Sequence, residues 1–424
     1  MIISQLNLLK FYNIKGKIIF NLNSPKIINF MTSNPINSIE KKIKIKQKFT
    51  IRELAGSFGD WGTLIPFVIG YISIVGFNPA GIFICLGLTN IILGMRFNLP
   101  LPVQPQKTIG TIALSHSWNQ SLVISTGFGT GIFWFILGIS KKLNKIVDKV
   151  PLILVRGIQL GLGLILGWEA LTLMYDNLIL GIISIGIIIS LYKYEKIPSS
   201  ILLVFLGIII IIFNGQINLE NLYFQLPQIS IQIPNLIDLL YGMLFAGIGQ
   251  LILTLTNVMI ATIILAKDLF PEGAQKLDAN TLSFNMGYIN LLSPFIGGIP
   301  LCHGSGGLAA QYAFGARTGG SMILEGLLEI ILGVFFSNLL LNIFTSFPVS
   351  IFGAMLLYTA FLLARVSFKE FKMQDFILIV IPTALLSFFL NLPIGFGIGV
   401  VIYIILKLVN KKSNEKKALN ISAE

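Results

Sequence analysis

Apolar windows follow one another almost without interruption between Leu54 and Val409. A helix needs roughly 20 mostly apolar residues to cross the hydrocarbon core of a bilayer, and windows of this kind fill nearly that whole range. Because 54% of the 424 residues are hydrophobic and only 11% are charged, the chain lacks the polar residues that a soluble surface requires. The sequence therefore predicts an all-α polytopic membrane protein whose main partner is the lipid bilayer.

Glycine, proline and polar residues divide this apolar stretch into separate windows. The divisions predict about fourteen transmembrane segments, near residues 54–76, 79–96, 99–115, 121–139, 152–173, 176–192, 198–213, 236–265, 282–297, 299–316, 319–341, 347–365, 373–390 and 393–409.

The basic residues that give the net charge of +12 stand in short clusters at every second connection between these segments. The clusters include Lys41–Lys48, Arg96, Lys141–Arg156, Lys193, Lys267, Arg317, Arg365–Lys372 and Lys407–Lys417. The intervening connections carry no Lys or Arg. Since basic connections stay on the cytoplasmic side, the pattern predicts that both termini are cytoplasmic, and it does not indicate nucleic-acid binding.

The first 50 residues differ from the rest in being rich in Asn, Ile and Lys, with no acidic residue before Glu40. We expect residues 1–50 to form a disordered basic N-terminal tail, or translation to begin at the second methionine, Met31. Cys85 and Cys302 have no neighbours at disulfide-framework or metal-site spacing, so neither a metal nor another cofactor is expected.

Two windows are interrupted near their beginnings in a way that is typical of transporter binding sites. The first, Leu99–Thr108, holds three prolines, and the second, Gly298–Leu308, holds one proline and several glycines. Each predicts an extended segment followed by a short helix. The charge pattern places the two half-helices in opposite directions, so that their N-termini meet near the midplane. Free N–H groups and helix dipoles there would form an anion site.

Lys107 is the basic residue that falls inside the apolar zone, at the start of the first half-helix. An unpaired ammonium at membrane depth costs at least about 2.5 kcal/mol, so Lys107 needs a partner or a function. It either attracts the anion or pairs with a carboxylate such as Asp60. Asp60, in the Gly-flanked sequence 58–63, is either a helix N-cap or an inner gate that couples transport to a cation.

Other polar residues lie in the predicted spans. Gln250 and Asn257 stand at roughly helical spacing on the eighth span and either bind substrate or link helices. His303 is a candidate proton-sensing group beside the second half-helix, with plain hydrogen bonding as the alternative. Glu169 and Glu325 are candidate proton-coupling or gating residues, or alternatively brace the helices.

Four ordered motifs carry a resemblance that covers about residues 52–410. They are FGDWGTLIP at 58–66, PVQPQK at 102–107, GQLILTLTN at 249–257 and PLCHGSGGLAAQYAFGARTG at 300–319. Together they resemble the MOT1-type molybdate transporters, a family related to the sulfate permease (SulP/SLC26-like) superfamily.

The resemblance implies a 7+7 inverted repeat with core and gate domains and an elevator-type motion. It places the first repeat at 51–213, an extracytoplasmic loop at 214–235 and the second repeat at 236–410. Spans one to four and eight to eleven would form the core domain. A cytoplasmic tail at 411–424 would follow, without the regulatory STAS domain that sulfate permeases usually append.

The resemblance also implies a tetrahedral dianion, molybdate or sulfate, bound between the two half-helices. The motif positions it assigns to the substrate are Thr63, Gln104, Lys107, Gln250, Ser305, Gly306 and Gln311. Gln106, Thr108, Asn257 and Gly304 adjoin these positions or share their elements and are added as candidate substrate-binding residues. Gln106 and Ile252 depart from the residues expected at their motif positions, which leaves the choice of anion open.

Molybdate is the substrate we expect for a secondary active transporter of the cell membrane. A sulfate transporter or an anion channel of the same fold is the alternative, and a nucleobase transporter is a more distant one. An enzyme is not expected, because the motifs contain one histidine and no metal-ligand cluster. Coupling to H⁺ or Na⁺ and a homodimer are further expectations.

Overall fold

The computed structural model describes residues 13–14, 17–18, 47–143, 151–191, 199–215, 229, 231–275, 277–368 and 373–421. The chain divides into a unit of residues 1–44 and a unit of residues 45–424. In the first unit, β1 (Asn13–Ile14) pairs with β2 (Lys17–Ile18) as an antiparallel hairpin. Most of the tail predicted at 1–50 lies outside the described residues.

The second unit is helical almost throughout its described residues. Its helices are α1 (Ile51–Ser57), α2 (Trp61–Ser73), α3 (Pro79–Phe97), α4 (Lys107–Ser115), α5 (Gln120–Ser140), α6 (Leu152–Met174), α7 (Leu178–Leu191), α8 (Ser199–Phe213), α9 (Leu236–Leu269), α10 (Ala279–Leu292), α11 (Ser305–Phe314), α12 (Gly320–Phe335), α13 (Ser337–Thr345), α14 (Val349–Arg365), α15 (Met373–Phe389) and α16 (Leu392–Ile421). The strands β3 (Val103–Pro105) and β4 (Leu301–His303) precede α4 and α11.

Each predicted span contains at least one of these helices, which supports a helical membrane protein. Four runs in the described ranges are long and apolar enough to cross a bilayer alone, namely α3, α5, α6 with α7, and α9. A short 3₁₀ turn at Tyr175–Asn177 separates α6 from α7, where an outer connection is expected. The remaining apolar helices are shorter, so the count of fourteen spans stays a prediction.

The window 319–341, predicted as one span, contains two helices, and the single span stays a prediction. Helices α12 and α13 cover this window, but they are bent by 84° relative to each other. The break falls at Phe336, whose backbone (φ −121, ψ 11) leaves the helical region. Gly333 and the polar pair Ser337–Asn338 flank the break, a local signal that the hydropathy of the window does not separate from a continuous span.

Side chains that accept hydrogen bonds from first-turn N–H groups begin four of the described helices around the site. Asn78 caps α3, Asn119 caps α5, Asn235 caps α9 and Asp278 caps α10. Such a cap satisfies backbone donors that otherwise lack partners. Helices α2, α4, α11 and α12 differ, because none has a capping bond from its own N-cap side chain.

Glycines bring α3 and α12 into direct backbone contact. Gly87 lies against Gly326, and Gly94 lies one heptad further along α3, against Gly319. A Cβ at Gly87 would stand 2.5 Å from the Gly326 carbonyl oxygen. Small residues allow such close approach, which stabilises helix pairs inside a membrane through packing. The contact also fixes α12, which carries Glu325, against α3.

We expect Gly87→Leu to destabilise the protein by about 1–3 kcal/mol, because the new side chain forces two backbones apart. Thermal unfolding of the purified protein in detergent measures the effect. Gly186→Leu is the matched control, because a Cβ at Gly186 in α7 meets nothing within 4 Å. Equal stability of the two variants would contradict the close α3–α12 contact.

Candidate functional site

The two interrupted windows meet in one small antiparallel ribbon. Strands β3 and β4 pair with each other, and the Gln106 N–H extends the contact by donating to the Pro300 carbonyl at 2.9 Å. The register joins Val103 with His303, Gln104 with Cys302 and Pro105 with Leu301. Because the strands are antiparallel, α4 and α11 leave the ribbon at opposite ends. Three residues span about 10 Å, so both N-termini lie close to one region.

Two buried asparagines hold this ribbon in place. Asn90 on α3 accepts from the Val103 N–H at 3.2 Å, and Asn290 on α10 accepts from the Leu301 N–H at 2.8 Å. Asn290 Nδ2 also donates to the Leu301 carbonyl at 2.8 Å. Sequence reasoning missed both residues. The available signal was an asparagine inside an apolar span, shortly before each interrupted window.

The N-terminus of α4 is surrounded by side-chain amides. The Thr108 N–H donates to Gln250 Oε1 at 2.8 Å, and Gln250 Nε2 donates to Thr254 Oγ1 at 2.9 Å. Gln106 Nε2 contacts Thr130 Oγ1 at 3.1 Å and the Leu301 carbonyl at 3.2 Å. The fully buried Gln106 amide therefore braces the ribbon, which leaves little support for its predicted contact with substrate.

The N-terminus of α11 is open by comparison. Its N-cap residue is Gly304, which has no side chain to cap it. Ser305 Oγ donates to Asn257 Oδ1 at 2.8 Å, at the start of a π-helical turn (Asn257–Thr262) in α9. Gly306 is exposed, and a Cβ there would meet no atom within 4 Å. Within the described ranges, the N–H groups of residues 305–307 have no acceptor.

Lys107 begins α4 and is half-buried. Among the residues that the structure describes, no carboxylate oxygen lies within 4.0 Å of its ammonium nitrogen. Lys107 and Asp60 therefore form no direct ion pair in this conformation, but Asp60 still attracts the ammonium electrostatically, so their pairing stays a prediction. The charge of Lys107 remains available to an anion near the two helix N-termini.

Asp60 precedes α2 but does not cap it, so the N-cap alternative is wrong. Its carboxylate instead accepts from Gln104 Nε2 and from Gln311 Nε2, each at 3.1 Å. Gln104 Nε2 also lies 2.8 Å from Thr63 Oγ1. Three of the predicted site residues, from β3, α11 and α2, thus share one buried network with Asp60.

Glu325 on α12 extends this network. Gln311 Nε2 donates to Glu325 Oε2 at 2.6 Å, and Trp61 Nε1 donates to Glu325 Oε1 at 3.2 Å. Glu329, one turn further, accepts from Asn90 at 2.8 Å through Oε2, while its Oε1 has no partner. In the described part of the chain, no Lys, Arg or His pairs with these three carboxyl groups.

Two predicted coupling residues stand outside this network. His303 is buried in β4, and neither of its ring nitrogens has a hydrogen-bond partner among the described residues. Glu169 is half-buried on α6, and its side chain forms no hydrogen bond within those ranges. No group of three His, Cys, Asp or Glu side chains in the described residues is placed to hold a metal ion.

Comparison with known proteins places these features in a family. The profile described as "Molybdate transporter of MFS superfamily" matches residues 52–166 and 242–363. Molybdate transporter 2 of Arabidopsis thaliana is 30% identical, over 87% of this chain and 90% of its own length. Molybdate transporter 1 of the same plant is 28% identical, over 87% of this chain and 91% of its own length.

Solved structures share the fold at lower sequence identity. The transmembrane domain of the cyanobacterial bicarbonate transporter BicA aligns with a TM-score of 0.58 at 16% identity, over 83% of this chain and 98% of that domain. The murine anion transporter Slc26a9 in its inward-facing state aligns with a TM-score of 0.65 at 14% identity, over 91% of this chain and 75% of its own. From the family match and the plant relatives together, we conclude that this chain belongs to the molybdate transporter family.

Proposed function

We propose that this protein carries molybdate across a membrane by alternating access. The observation that carries the proposal is the open N-terminus of α11, where three N–H groups without acceptors and the open side of Gly306 adjoin the ribbon that also positions Lys107. Such a terminus binds anions through backbone donors and the helix dipole. The plant relatives of this chain are named as molybdate transporters, which supports molybdate as the tetrahedral anion.

The proposed anion site consists of Gly304, at the N-cap of α11, and of Ser305 and Gly306 in its first turn. The Lys107 ammonium adds positive charge to this site. Asn257 orients the Ser305 hydroxyl, and the Gln104 amide closes the site toward Asp60. Molybdate and sulfate have the same charge and shape, so backbone donors discriminate between them only through cavity size, by about 1–3 kcal/mol. Competition by sulfate therefore separates the molybdate proposal from its sulfate-transporter alternative.

An elevator-type motion is part of the proposal. The residues proposed to bind the anion and the buried carboxyl network lie on or next to α2, α4, α9, α11, α12 and β3, which belong to the predicted core domain. Helices α6, α14, α15 and α16 pack closely together through small residues, for example Gly163 against Ala364 and Gly399 against Thr383. We propose that the core moves past this gate as one body and carries the anion with it. Both termini remain assigned to the cytoplasmic side.

The buried carboxyl network is the proposed coupling element. Asp60 and Glu325 share the Gln311 amide, and no cation of the described residues lies within 4.0 Å of either carboxyl group. Charged carboxylates in that position repel each other. Holding one or more protons removes this repulsion. Gln104 lies between Asp60 and the proposed anion site. A change in the protonation of Asp60 therefore alters the position of the Gln104 side chain beside the substrate. We propose H⁺ as the coupling ion on this basis.

We expect Lys107→Ala to reduce the apparent affinity for molybdate at least tenfold, because a charge-assisted contact contributes about 1.5–3 kcal/mol. Uptake of labelled molybdate by cells expressing the protein, with and without excess sulfate, measures this. Arg96→Ala is the matched control, since Arg96 is an exposed cation at the end of α3. Unchanged saturable uptake by the Lys107 variant would remove Lys107 from the site. Ohmic, non-saturable conductance would favour a channel.

We expect Asp60→Asn and Glu325→Gln to abolish the dependence of molybdate uptake on external pH, since each replaces a titrating carboxyl by an uncharged amide of similar shape. Uptake into proteoliposomes with an imposed pH gradient measures the effect. Glu272→Gln, at an exposed position after α9, is the control and should retain the gradient dependence. Gradient-driven uptake by both buried-site variants would exclude this network as the coupling element.

A further inference from the structure

The two half-helices of the site are not equivalent. The first turn of α4 already has an acceptor, because Gln250 reaches from α9 and takes the Thr108 N–H at 2.8 Å. The first turn of α11 has none within the described residues, and the Asn257 amide oxygen beside it accepts from the Ser305 hydroxyl instead. An anion that binds between the helices therefore meets one N-terminus without a cap and one whose Thr108 N–H already has an acceptor.

The Gln250 carboxamide is held at both ends. Its oxygen faces Thr108, its nitrogen donates to Thr254 at 2.9 Å, and all three residues are buried. Thr254 lies one turn after Gln250 on α9, so the amide is fixed by its own helix while its oxygen caps another. This is the geometry of an N-cap supplied from a neighbouring helix.

We propose that Gln250 is a displaceable cap that occupies the place of an anion oxygen at α4. In this conformation the neutral carboxamide oxygen satisfies the Thr108 N–H. A dianion that also engages α4 must take that N–H from Gln250, and the bond to a charged oxygen is about twice as strong as the one it replaces. The cap thus lowers the affinity for the anion and prevents the empty site from burying an unsatisfied donor.

The displaceable cap rests on the proposed function, and it reverses the expected effect of removing Gln250 on anion binding. If Gln250 were a direct ligand of the substrate, its removal would weaken binding. If it is a competing cap, its removal leaves the Thr108 N–H without a partner until the anion arrives, so binding becomes tighter. The sign of the change distinguishes the two roles.

The test is equilibrium binding of labelled molybdate to the purified full-length protein. We expect Gln250→Met, which is similar in size but is a poor acceptor, to bind about three- to tenfold more tightly, the range that corresponds to the loss of one neutral hydrogen bond. Thr254→Val should shift affinity in the same direction by less, because it only loosens the carboxamide. Gln250→Glu should bind at least tenfold more weakly, since a charged cap repels the anion.

Weaker or unchanged binding of molybdate by both Gln250→Met and Thr254→Val would overturn the inference. If Gln250→Met fails to fold, the affinity of the milder Thr254→Val variant decides between the two roles. Failure of the proposed function looks different, because the wild-type protein would then bind neither molybdate nor sulfate. In that case hydrogen exchange at the Thr108 amide still reports on the cap. Faster exchange in Gln250→Met supports the cap, and equal exchange overturns it.

Discussion

Every backbone N–H and C=O group inside a bilayer needs a partner, and the rest of this structure follows from how two interrupted segments meet that requirement. Prolines keep residues 99–105 from forming a helix, and the segment before α11 is interrupted in the same way. Each segment satisfies the other by pairing as β3 and β4. Asn90 and Asn290 then accept hydrogen bonds from the Val103 and Leu301 N–H groups, which the ribbon leaves without partners. Backbone that would otherwise be too costly to bury becomes a rigid base for two short helices.

The β3–β4 ribbon also shapes the proposed anion site. A ribbon of three residues per strand places both helix N-termini close together, and the surrounding helices leave the termini in different states. Gln250 caps one, while Gly304 and Gly306 leave the other open. Lys107 is the basic side chain of the proposed anion site. Binding an anion through backbone donors needs no metal, and the anion can leave again because no single contact is very strong.

The amides of Gln104 and Gln311 give the site its connection to buried acids. Each amide donates to Asp60, and Gln311 also donates to Glu325. Carboxyl groups without cationic partners respond strongly to protonation, because the low dielectric of the interior magnifies their mutual repulsion. Glycine contacts hold α12, which carries Glu325 and Glu329, against α3, which contacts the ribbon through Asn90. The close glycine packing, the proposed coupling groups and the proposed anion site therefore share the same few helices.

The sequence by itself determined the membrane environment, the approximate position of each apolar helix and the two interrupted windows, because apolar length, proline and charge act locally along the chain. It also singled out Lys107, Gln104, Ser305 and Gly306 as site candidates. It did not show the bend at Phe336 or the roles of Asn90 and Asn290. Only the tertiary structure decided that Asp60 bonds to two amides rather than capping α2, that no carboxylate of the described residues lies within 4.0 Å of the Lys107 ammonium and that Gln250 caps α4. These outcomes depend on side chains from helices far apart in the sequence, and no local pattern records which of them will meet.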